Sequence, residues 1–194
     1  MNKLACLTLI LYFTFSFVNA QAEKRCQIST AFGSIIIELY PEKAPGTVTN
    51  FLKYVSNGAY VNSSFFRVYT PENESQRDIK IQVIQGGNVT EEQLLPPIPI
   101  ETTRTTGILH EHGTISMARL GPDSAQSSFF ICLGDQPELD YGGKRNPDGQ
   151  GFAAFGKVVE GIDVVKQIQG LENKEQYLLE PVLIQEIRLL KQIH

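Results

Sequence analysis

Glycine and proline cut most of this chain into short runs rich in β-branched and aromatic residues, a rhythm that suits a many-stranded sheet with few helices. Ser34-Ile35-Ile36-Ile37-Glu38-Leu39-Tyr40 reads as a strand stopped by Pro41. Residues 65–69 and 79–84 read as two more, the second with partial alternation of apolar and polar positions. Residues 113–118 and 128–133 read as central strands, and 153–159 and 182–190 complete the set. In the last run Leu183, Ile187 and Leu189 fall on one face at period two.

Two segments switch to a helical period. Between Pro45 and Gly58 the apolar residues Val48, Phe51, Leu52 and Val55 fall at i, i+3, i+4 and i+7. Proline suits the first turn there, and glycine the left-handed position after the end. A shorter helix is expected from Ile162 to Ile168, where Ile162, Val165 and Ile168 share a face. Many strands with two helices at separate points imply a mainly β protein, a closed antiparallel barrel capped by the helices. No repeat or low-complexity tract interrupts residues 26–194, which read as one domain.

The first twenty residues follow another pattern. Lys3 precedes an apolar run from Leu4 to Val18, and Val18-Asn19-Ala20 is a small-residue end suited to signal peptidase. Residues 1–20 therefore read as a cleaved secretory signal, which implies a periplasmic or secreted protein with no stable membrane association after cleavage. The run is short beside the ~20 apolar residues of a membrane span, and an uncleaved anchor is the alternative. Cys26 and Cys132 then occupy a compartment where one disulfide could join them. Cys132, inside Phe129-Phe130-Ile131-Cys132-Leu133, reads first as a buried small hydrophobe. With 17 basic against 21 acidic residues, the chain lacks the cationic surplus that nucleic-acid binding requires.

No nucleophile-and-base system is visible, and no Gly-x-Ser-x-Gly elbow. His110-Glu111-His112 supplies at most two metal ligands with no third at a recognisable spacing, and such a pair reads first as a solvated turn. Neither metal nor cofactor is expected. Sequons at Asn62, Asn73 and Asn88 matter only on a eukaryotic secretory route. Three other features have plain readings when taken singly: Arg67 as a surface charge, Gln85-Gly86-Gly87 as a turn or bulge, and Phe129-Phe130 as core.

Together and in this order those features resemble the cyclophilins, the barrel-shaped peptidyl-prolyl isomerases. The resemblance runs from Gly33-Ser34-Ile35-Ile36-Ile37-Glu38-Leu39-Tyr40 through Ala44-Pro45, Thr47-Val48 and Asn50-Phe51 to Phe65-Phe66-Arg67-Val68. It continues in Val83-Ile84-Gln85-Gly86-Gly87, Gly113-Thr114-Ile115-Ser116-Met117-Ala118 and Ser128-Phe129-Phe130-Ile131, and ends in Phe155-Gly156-Lys157-Val158-Val159-Glu160-Gly161. Gln136-Pro137-Glu138-Leu139-Asp140-Tyr141-Gly142-Gly143 is similar to the bacterial secreted branch.

The resemblance implies a cyclophilin-like barrel of about eight strands and a monomer that acts on proline-containing polypeptides during export. It implies that Arg67 stabilises the twisted amide and that Gln85 positions Arg67 and the substrate carbonyl. Val83, Phe130 and Leu139 would line a proline pocket with Phe130 as floor, and the backbone at Ala118 and Arg119 would hold the extended substrate. Several positions depart from the family pattern. Phe66 replaces a histidine, Gln82 falls at a pocket phenylalanine, Ser128 replaces a glutamine, Glu138 stands near a missing tryptophan, and Phe152 replaces a late pocket histidine. The rival readings are a proline-peptide binding module or chaperone with little turnover, and a metal-dependent hydrolase using His110 and His112.

Overall fold

The computed structural model describes residues 24–191; the expected signal at 1–20 lies outside them, as does His194. The strands are β1 (Lys24–Thr30), β2 (Gly33–Leu39), β3 (Ser64–Tyr69), β4 (Val83–Gly86), β5 (Thr114–Met117), β6 (Phe129–Cys132), β7 (Ala153–Glu160), β8 (Asn173–Lys174), β9 (Tyr177–Leu183) and β10 (Glu186–Leu189). The helices are α1 (Pro45–Ser56), α2 (Thr103–Thr106) and α3 (Ile162–Gln169). All strand pairings are antiparallel, in the order β10-β1-β2-β7-β5-β6-β4-β3-β9-β8.

The sheet is mainly β as expected, but it is not a closed barrel, and it has ten strands rather than eight. β8 pairs with β9 and β10 with β1, so two edges remain open. The reason lies in residues 182–190, which do not form one strand. β9 runs beside β3 and stops; Ile184 N–H then donates to Ser63 O and Gln185 N–H to Ser29 O, carrying the chain across to β10 beside β1. The connection spans the gap without a ladder. It also breaks the expected apolar face: Ile187 is buried, whereas Leu183 and Leu189 are half exposed.

α1 forms where expected, with Pro45 in its first turn and Gly58 left-handed (φ 66°) beyond its end. Val48, Phe51 and Tyr54 face the core. α3 buries Val165 and Ile168 on the expected face. α2 was not expected; its Thr-Arg-Thr-Thr sequence has no apolar period, and left-handed Gly107 ends it. β1 also escaped the strand reading, although inward Cys26, Ile28 and Thr30 alternate along it. The expected strand over 79–84 begins only at Val83. Before it, Ile81 N–H donates to the Glu74 carboxylate and Gln82 N–H to the Gln136 side chain, so side chains take the donors that a ladder would use.

The core is an aromatic stack. Phe51 lies 5.2 Å from Phe155, 5.4 Å from Tyr60 and 5.8 Å from Phe129 between ring centroids, and Phe129 meets Phe65 edge-on at 5.9 Å. A second apolar cluster of Ile81, Val83, Phe130, Cys132 and Leu139 lies apart from it. Period-two alternation divides β6 between the two, because Phe129 and Ile131 enter the core while Phe130 and Cys132 enter the second cluster. β4 divides the same way, with Ile84 in the core and Val83 on the other side.

Candidate active site

β3 obeys this alternation only after a correction. Phe65 and Val68 are both core residues although they are three apart. Against β4 the register steps from Phe65–Gly86 to Arg67–Gln85, so Phe66 is the extra residue of a bulge, and the pairing with β9 is irregular at the same point. In a straight strand that counted Phe66, Arg67 would share the core face with Phe65. With the bulge, Arg67 and Tyr69 face the second cluster.

A recess of about 230 Å³ opens there. Val83, Phe130, Leu139 and Phe152 form its apolar surfaces, and Arg67 and Gln85 reach its side. The space suits a proline ring and is below the range of drug-sized pockets. Phe130 lies nearly buried at the base, with Phe152 edge-on to it at 5.2 Å. Behind Phe130 the His110 ring stacks at 5.9 Å and a 16° tilt. His110 Nδ1 lies 2.7 Å from Asp140 Oδ1, and its Nε2 lies 2.9 Å from Ser116 Oγ. His110 is thus fully buried structure, not the solvated turn expected for it. No group of three metal-ligating side chains occurs among the described residues.

The Arg67 guanidinium lies over two phenol rings, with Cζ 4.6 Å from the centroid of Tyr69 and 4.9 Å from that of Tyr177. Burial pushes the Tyr69 phenol above its ordinary pKa against the opposing pull of Arg67 and Arg145, so the ring stays a neutral face beneath the cation. Arg67 Nη2 donates to Gln176 Oε1 at 2.5 Å. Its Nε is buried and has no hydrogen-bond partner among the described residues. Gln85 lies opposite Arg67 in the β3–β4 register. The close turn after it depends on glycine: a Cβ on Gly87 (φ 80°) would come within 2.8 Å of Phe129.

Gln85, Ala118 and Arg119 also border a neighbouring recess of about 290 Å³, which Ser128 lines. Ala118 N–H is already bonded to Ser128 O at 2.8 Å. The Arg119 side chain braces the cleft wall. It forks onto both Asp148 oxygens at 2.7 and 2.8 Å, donates to Gly151 O, and lies 5.3 Å from the Phe152 ring centroid. Glu138, at the place of the missing tryptophan, turns into its own loop, where Oε2 accepts from Lys144 N–H. The predicted pocket residues therefore converge. The sequence reading missed Ile81, a buried member of the pocket cluster, because it gave that pocket place to the next residue, Gln82. Cys26 and Cys132 are separate buried thiols; burial raises Cys26 to about 12 and pushes Cys132 up as well.

Residues 25–189 match the family described as cyclophilin type peptidyl-prolyl cis-trans isomerase/CLD. Peptidyl-prolyl cis-trans isomerase cyp18 of Streptomyces antibioticus is 35% identical over 84% of this chain and 97% of its own. Peptidyl-prolyl cis-trans isomerase B of Escherichia coli is 34% identical over 81% and 97%. A crystal structure of a Cryptosporidium parvum cyclophilin type isomerase superposes with a TM-score of 0.70 at 20% identity, over 89% of this chain and all of that one. The chain belongs to the cyclophilin-type peptidyl-prolyl cis-trans isomerases.

Proposed function

We propose that the protein speeds X-Pro rotation in exported polypeptides by hydrogen-bonding the twisted amide from Arg67. Rotation breaks amide resonance at a barrier of about 18–20 kcal/mol and needs no covalent step, so an enzyme need only bind the twisted state better than either planar one. The recess holds the prolyl ring on Phe130, which fixes one side of the bond. In the twisted state the prolyl nitrogen becomes pyramidal and basic while the carbonyl oxygen moves. A fixed guanidinium serves both regions as a donor.

The observation that carries this reading is the Arg67 Nε, a buried donor without a partner among the described residues, at the edge of an apolar pocket. An unpaired buried donor is destabilising, and a substrate acceptor would relieve it. The export role rests on the apolar run 4–18 and its small-residue end. The first test is a coupled cis-to-trans peptide assay on residues 21–194, wild type beside Arg67→Ala. A loss of about tenfold or more in kcat/KM, ~1.4 kcal/mol, is expected. Equal rates for the two proteins would remove Arg67 from the mechanism, and no turnover in either would leave a proline-peptide binder.

A further inference from the structure

We propose that Gln176 is the positioning residue for Arg67, and that buried Glu74 sets which way its amide faces. The proposal rests on the role given to Arg67 above. Gln176 sits at the tip of the β8–β9 hairpin, where Lys174 pairs with Tyr177 across a two-residue turn. Both turn residues are left-handed, Glu175 at φ 52° and Gln176 at φ 77°. Glycine or asparagine suits such a position best, so a glutamine there is kept against the backbone preference.

Its carbonyl and both polar atoms of its side chain are engaged. Gln176 O accepts from Val68 N–H at 2.8 Å, which pins the hairpin tip to β3 one residue beyond Arg67. Gln176 Oε1 accepts from Arg67, and Gln176 Nε2 donates to Glu74 Oε1 at 3.3 Å. A guanidinium only donates and a carboxylate only accepts, so one amide orientation alone satisfies both neighbours. Glu74 is itself fixed. Its side chain is fully buried and accepts from Arg145 Nη1 at 3.1 Å, Arg145 Nη2 at 2.5 Å and Ile81 N–H at 2.8 Å. The polarity therefore runs from loop 70–82 through the hairpin tip to the guanidinium. Gln85, which the family resemblance gives this task, faces Arg67 in register, but the side-chain bond to Arg67 comes from Gln176.

The test uses Gln176→Gly, which suits the left-handed turn but deletes the acceptor, and Gln176→Met, which keeps the side-chain length without one. Both are expected to lower kcat about tenfold with KM within threefold of wild type, and Gln176→Gly to keep or raise the unfolding midpoint. The Arg67 Nη resonances should be resolved by restricted rotation in the wild type and should collapse toward an average in both variants. The Gln176→Gly/Arg67→Ala double variant should be no slower than Arg67→Ala. Wild-type kcat in both single variants, or unchanged Nη resonances, would overturn the proposal, as would an equal rate loss on the Arg67→Ala background. If Arg67→Ala itself turns over at the wild-type rate, the reading of Arg67 fails first, and that outcome is read independently of Gln176.

Discussion

Asp148 shows how one residue shapes the cleft wall through another, Arg119. The Arg119 side chain, hydrogen-bonded to both of its oxygens, holds its carboxyl down to about 2, with Gln150 N–H adding to the effect. The unfolded-state value is ~3.9, so the native state is favoured by this pair above that pH and loses the contribution as pH falls through about 2. Acid unfolding of Asp148→Asn, followed between about pH 4 and pH 2, should be flatter than that of the wild type. Residues of this kind were hard to read in the sequence. Arg67, Val83, Phe130, Leu139 and Phe152 stood in recognisable blocks and do converge. His110 and Gln176 act through partners 30 and 109 positions away, so no local pattern announces them.

Among the elements, loop 70–82 departs furthest from its reading. Its end from residue 79 reads as strand, yet the segment is organised by Glu74, a fully buried carboxylate joining the loop to Arg145 in the 142–151 loop. The same arginine donates to Ile79 O at 2.7 Å and lies 5.4 Å from the Tyr69 ring centroid. Glu74→Ala would leave Arg145 buried without its counter-ion. Denaturant unfolding should show a loss of roughly 3–5 kcal/mol, well above that for an exposed pair such as Lys157–Glu111. Helices with a clear apolar stripe were legible to within about a turn. α2 was not, since four threonine and arginine residues carry neither period nor strong propensity.

On the scale of the whole molecule, one sheet serves two apolar compartments, and adjacent residues of β6 belong to different ones. Phe129 meets the rings of Phe51, Tyr60 and Phe65, while Phe130 meets those of His110 and Phe152. Phe129→Ala should cost about 3–5 kcal/mol of stability. Phe130→Ala should instead lower kcat/KM by more than tenfold with a smaller shift in the unfolding midpoint. Paired melting curves and rate assays on the two variants separate the compartments; equal effects on both readouts would show that they are one. The family and the mainly β class were legible because the strand blocks follow one another in order. Sheet closure was not, because it turns on two residues, Ile184 and Gln185, that leave one edge strand and join the other.

The bulge at Phe66 behaves like a single inserted letter that shifts the reading frame of β3. Upstream of it, odd-numbered positions point inward; downstream, even-numbered ones do. Were β3 to run straight with Phe66 counted in its ladder, every side chain after it would exchange inside for outside. Arg67 would then meet the aromatic stack of the core, and Val68 would face the cleft. Position along the chain and position in space are coupled here by a count of one, and deleting Phe66 should keep Arg67 and Val68 on their present faces, because the Phe65–Gly86 and Arg67–Gln85 pairs would then be consecutive on both strands.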